Sequence, residues 1–177
     1  MSNYEEKLNR RFKGEVWDEI RNVETGEVQV IYQKFNVVLS AFSRLIAALV
    51  KGEAGYKGAM YWEVGSGNST WNDQAPPSPS ETDTGLLTPL FRKAIQPGDM
   101  RFLQADGTTT STTPTNRLEI SVTFGTSEAN GYLREFAIYG GNATATLGSG
   151  IPINRKTHGV IYKTSSIELK RTIKFTF

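Results

Sequence analysis

The stretch SIELKRTIKFTF, residues 166–177, decides the fold. Ile167, Leu169, Ile173, Phe175 and Phe177 alternate with Glu168, Lys170, Thr172, Lys174 and Thr176. A period of two sends successive side chains to opposite faces of an extended strand, here one dry and one wet. RLEISVTF, residues 117–124, repeats the pattern, with Leu118, Ile120, Val122 and Phe124 set against Glu119, Ser121 and Thr123. In EANGYLREFAIYGG, residues 128–141, Asn130-Gly131 stands between two β-type runs and predicts a hairpin, since both residues accept positive φ.

Upstream, VWDEIRNVETGEVQVIYQKF, residues 16–35, carries Thr25-Gly26 between β-rich flanks and predicts another hairpin. Asn36 then has the chemistry of an N-cap before VVLSAFSRLIAALVKG. Val38, Phe42, Leu45 and Leu49 form one stripe, and Leu39, Ile46 and Val50 widen it. That pattern predicts a long apolar helix over residues 36–51, stopped by Gly52 and buried on most of its circumference, in the core or against another subunit. Residues 60–64 read as a strand. QAPPSPSETDTG, residues 74–85, reads as surface loop, and ADGTTTSTTPTN, residues 105–116, as a hairpin tip. Pro89 makes LLTPLFRKAI extended rather than helical. The expected fold is mainly β: an antiparallel β-sandwich with one long apolar helix near the N-terminus. Residues 14–177 form the single domain, and residues 1–13 a charged arm on which Tyr4, Leu8 and Phe12 share one helical face.

The bulk numbers exclude several function classes. In 177 residues, 38% hydrophobic and 21% charged, there is material for a real core. A net charge of +2 is too close to neutral to argue for a nucleic-acid or acidic-membrane partner, and neither is expected. Without cysteine there are no disulfides and no thiolate metal sites. The N-terminal residues lack the apolar core of a signal peptide. The run 37–50, broken by Ser40, Ser43 and Arg44, is too short and polar to span a bilayer.

YWEVGSGNSTWN, residues 61–72, invites a phosphate-binding reading. A P-loop needs Lys and Ser/Thr after its last glycine, and a dinucleotide loop needs a third glycine opening a helix. Here Trp71 and a proline-rich loop follow instead, so the expectation is a tight turn with Trp71 folded back over it and no bound cofactor. His158 is the only histidine, which argues against a zinc centre and a Ser-His nucleophile; Glu81 and Asp83 lack the further ligands of a calcium loop. Ser149 in LGSGI lacks the strand-to-helix setting of a nucleophile elbow. Glu63 and Asp73 are the carboxylates that could serve glycoside cleavage. Tyr56, Tyr61, Trp62 and Trp71 are set among Gly, Asn and Ser, and since only one of Tyr61 and Trp62 can face the core from a strand, the other needs a second cover: a glycan, another subunit or the loop at Pro76-Pro77.

Gly65, Gly67, Trp71, Leu86, Arg92, Gly131, Leu133, Glu135, Tyr139, Lys163 and Leu169 match a pattern of glycine turn, Trp, proline-containing loop, Arg segment, β-hairpin and closing strand pair. Over residues 14–177 the chain thereby resembles tail-associated structural proteins of tailed bacteriophages, departing from them at Pro89. The resemblance implies a non-enzymatic virion component, a symmetric homo-oligomer in the tail, baseplate or fibre-attachment region. It would be made in the host cytoplasm and would partner other tail proteins. The contacts expected for assembly are Tyr4, Leu8, Phe12, Leu45, Leu49 and Trp71. The alternative is a carbohydrate- or receptor-binding module using the aromatic loop residues.

Overall fold

The computed structural model describes residues 12–34 and 36–177. It is mainly β, with two antiparallel sheets. Strands β1 (Lys13–Asn22), β2 (Val28–Lys34), β3 (Val37–Val38), β4 (Lys57–Gly65), β5 (Pro89–Ala94) and β6 (Met100–Leu103) come first. Then follow β7 (Thr110–Ser111), β8 (Arg117–Phe124), β9 (Gly131–Gly141), β10 (Ile151–Lys163) and β11 (Ile167–Thr176). One sheet has the order β2-β1-β11-β8-β6-β7 and the other β3-β10-β9-β4-β5.

The alternation read at the C-terminus holds. Leu169, Ile173 and Phe175 of β11 are buried, as are Ile120, Val122 and Phe124 of β8. They share one hydrophobic cluster with Trp62, Val64, Leu133, Phe136, Ile138, Ile153 and Ile161 of the other sheet. The turn at Thr25-Gly26 also forms: Gly26 has φ +75°, and the Asn22 side chain accepts from the backbone N–H groups of Glu24 and Thr25.

Asn130-Gly131 does not close a hairpin. β8 pairs with β11 and β6, whereas β9 pairs with β10 and β4, so residues 125–130 carry the chain from one sheet to the other. Positive φ falls at Ala129 (55°) and Gly131 (138°) and not at Asn130, so the two-residue turn conformation expected of Asn130-Gly131 is not adopted at this corner. Lys163 locks that corner from within, its ammonium donating to Gly125 O at 2.6 Å and Asn130 Oδ1 at 3.0 Å. Burial lowers the Lys163 pKa, while nearby Glu128 acts in the opposite direction.

The long apolar helix over residues 36–51 is also corrected. Helix α1 runs Ala41–Lys51, eleven residues, with Ser40 at its N-cap and Gly52 in the left-handed conformation at its end. Val37 and Val38 pair with Arg155 and Asn154 as β3, and Leu39 N donates to Ile153 O. Asn36 does not cap; its side chain lies against Gly14, where any Cβ would collide with it. With three apolar residues spent on extended backbone, the remaining helix is amphipathic. Phe42 and Leu45 are buried, whereas Leu49 is exposed and Val50 is 83% exposed. No helix among the described residues is long and apolar enough to cross a membrane.

Candidate functional site

The richest polar chemistry lies on the face of β4, β5, β9 and β10 turned away from the shared core. Register fixes which side chains meet there. Glu63 lies opposite both Arg92 and Ala137, Ala137 opposite Arg155, and Tyr61 opposite Tyr139, while the neighbours Trp62, Phe136 and Ile138 point into the core.

Arg92 Nε donates to Glu63 Oε2 at 2.6 Å, with both side chains almost wholly shielded from solvent. The guanidinium carbon sits 4.4 Å from the Tyr139 ring centre and 5.3 Å from that of Tyr61. Its Nη1 donates to the carbonyls of Thr144 and Thr146 and to Ser149 Oγ, each at 2.7 Å. Gly148 N donates to the same Glu63 oxygen at 2.8 Å. Loop 142–150 is thereby wound around one guanidinium. Planar, always charged and able to stack, Arg suits this role where Lys would not.

Glu135 does the same for the proline-rich loop. Its oxygens accept from Leu87 N at 3.1 Å, Thr88 N at 2.8 Å and Arg155 Nη2 at 2.6 Å, and Arg155 Nη1 reaches Asp83 at 2.7 Å. The Tyr139 hydroxyl accepts from Leu86 N at 3.3 Å, and burial together with the Glu63 charge raises its pKa. Thr157 Oγ1 donates to Pro77 O at 2.6 Å, and Asp73 Oδ1 accepts from Val160 N at 3.2 Å and Arg134 Nε at 3.3 Å. Glu63 and Asp73, the carboxylates considered for glycoside cleavage, are thus both engaged in holding loops. Among the described residues no group of three His, Asp or Glu side chains gathers as a metal site.

The glycine turn ends as a loop anchor too. Gly67 has φ +59°, and a Cβ there would run into the Trp71 ring, which lies folded back over it. Gly67→Ala should therefore lower stability by about 1–3 kcal/mol through overpacking and positive-φ strain, and red-shift Trp71 emission as the ring is displaced. Unchanged melting and emission would show that the ring does not seat there. Trp62 is wholly buried and Tyr56 packs on the core, so Tyr56, Trp62 and Trp71 present no common aromatic platform.

Of the residues expected at assembly contacts, Leu45 is fully buried within this chain and belongs to its own core, which removes it from any subunit surface. Leu49 remains exposed. Phe12 stacks edge-on against Phe42 and Phe177, at 5.6 and 5.7 Å between ring centres. Tyr4 and Leu8, with most of the 1–13 arm, lie outside the described residues.

A second polar centre lies inside the core and was not expected. Arg171 of β11 faces Asp18 of β1 across the ladder. Nε donates to Asp18 Oδ1 at 2.8 Å and Nη2 to Oδ2 at 3.0 Å, a bidentate pair with no exposed side-chain surface. Nη2 also lies 2.7 Å from His158 Nε2, while His158 Nδ1 lies 2.7 Å from Gly159 O. These partners fix the tautomer: Nδ1 carries the proton and Nε2 accepts from Arg171. The ring is therefore neutral. Burial, then the Arg171 charge, hold its pKa well below 6.5.

The unfolded chain binds a proton at His158 near pH 6.5, and the folded chain does so only at much lower pH. His158 thus contributes stability that is complete above pH 6.5 and lost as pH falls below it, at up to about 1.4 kcal/mol per pH unit. Urea midpoints taken between pH 7.5 and 5 should show this slope in the wild type. In His158→Gln the slope should flatten; an equal slope in both would assign it to other groups.

No protein-family model matches this chain, and comparisons with curated proteins and with solved structures give no match.

Proposed function

We propose that the chain is a structural virion protein of a tailed phage, a symmetric oligomeric component of the tail, baseplate or fibre-attachment region that works by protein–protein assembly. The reading takes the two sheets as the layers of a β-sandwich closed around one core. One observation carries it: the polar side chains that match the tail-protein pattern hold loop and corner backbone, beside the side-chain partners that orient them. Arg92, Glu135 and Tyr139 bind loop groups, and Lys163 binds a corner. A fold that devotes its buried charge to fixing the shape of long surface loops suits a subunit whose loops must meet neighbours in one geometry. It does not suit a site that must protonate or attack a substrate.

Antibody raised against the chain should label the tail region of virions produced from the gene's native context, and the protein should be found in purified particles. Its absence from purified particles would overturn the reading.

A further inference from the structure

We infer that the free edge of β2 pairs antiparallel with β2 of a second copy of this chain. The inference rests on the assembly reading and names the surface that reading requires.

Among the described residues β2 is the end strand of its sheet and pairs with β1 alone, in a register without a bulge from Glu15↔Lys34 to Arg21↔Val28. Its outer edge presents a row of backbone N–H and C=O groups, which folded proteins guard with Pro, charge, bulges or very short strands. The other sheet ends are guarded in that way. β7 and β3 are two residues long, and β5 begins on Pro89. β2 is seven residues long, and its segment VQVIYQ, residues 28–33, contains no charge, no Gly and no Pro. Such a segment combines high β-propensity with low charge, the composition that pairs most readily with another strand. Val28, Val30 and Tyr32 on one face are 49%, 62% and 47% exposed.

The strand's own pattern names its occupant. An antiparallel pair centred on Ile31 sets Ile31 against Ile31, Val30 against Tyr32 in both directions, and Gln29 against Gln33 in both directions. Apolar meets apolar, amide meets amide, and no like charges oppose each other over residues 28–33. A two-fold contact of this kind is self-complementary, the commonest form of homo-oligomer interface. On the Ile31 side a groove of about 350 Å3 runs between β2 and the wall formed by Gln74, Pro76, His158 and Val160, leaving room beside the edge.

Since the chain has no cysteine, a single introduced thiol reports position unambiguously. On mild oxidation the full-length Ile31→Cys variant should give a covalent dimer. Gln29→Cys and Gln33→Cys should each stay uncrosslinked alone and crosslink when mixed. The wild-type native mass should be an even multiple of the chain mass. Val30→Asp, at an exposed position, should at least halve that mass with the circular dichroism spectrum unchanged. No crosslink at residue 31, or an unaltered mass in Val30→Asp, overturns the β2 pairing. An oligomeric wild type would then place assembly on another surface, whereas a monomeric wild type absent from virions would overturn both readings.

Discussion

Arg171→Ala is expected to cost about 3–5 kcal/mol of unfolding free energy, the range for removing one partner of a fully buried ion pair. The loss comes less from the missing attraction than from what remains. Among the described residues the Asp18 carboxylate, with no exposed surface, would keep the 3.2 Å bond from Gln33 Nε2 alone, and His158 Nε2 would lose its Arg171 donor. The guanidinium also covers the Phe136 ring at 4.7 Å, so truncation opens space against the core. The triple replacement Asp18→Leu, His158→Phe and Arg171→Met removes all three polar groups together. It should recover most of the loss, since apolar groups of similar volume often replace a buried ionic cluster without penalty. Urea melts of the two variants check this. A single variant within about 0.5 kcal/mol of wild type would mean that water reaches Asp18.

Leu45→Ala is expected to cost about 2–5 kcal/mol, toward the upper end. Leu45 occupies the space left by Gly140, where an added Cβ would come within 2.8 Å of its Cδ2 and run into the Gly58 carbonyl. Backbone of β9 and β4 at Gly140 and Gly58 forms part of the wall around it, and backbone closes less readily than side chains over a cavity. Val50→Ala, on the same helix but 83% exposed, should change stability by less than about 0.5 kcal/mol. Equal small losses for both variants would show that α1 is not docked.

These two sites differ in how legible they were. Leu45 stood in a stripe of helical period, and its burial follows from that stripe even though the helix starts five residues later than Asn36 suggests. The start was misjudged because Val37, Val38 and Leu39 suit a strand as well as a helix, and pairing with β10 decided between the two. Arg171 stood in plain view at the inward parity of its strand, between Leu169 and Ile173, and Asp18 likewise between Val16 and Ile20. The two broken alternations were the available signal. What local pattern lacks is the register that puts one opposite the other. Asn130-Gly131 shows the same limit: turn chemistry marked where the chain changes direction, while the backbone conformation and the choice between hairpin and sheet-to-sheet corner lay with partners far away in sequence. The clamps at Glu63–Arg92 and Glu135–Arg155 depend on cross-strand register and on loops folding back over the sheet, neither of which spacing along the chain reveals.

The place of β1 between β2 and β11 has a consequence for the order of events during synthesis. The earliest described strand has one of its two neighbours at the far end of the chain, and β8 waits for that same β11. Until residues 167–176 leave the ribosome, this sheet exists at most as two fragments, a β1–β2 hairpin and a β6–β7–β8 group. Pairings of such long sequence separation make folding slow and leave unpaired strands exposed in the meantime. A chain interrupted before β11 could not join the fragments and would be open to proteolysis. Shape, and with it any capacity to enter a particle, is thereby withheld from every copy that lacks β11.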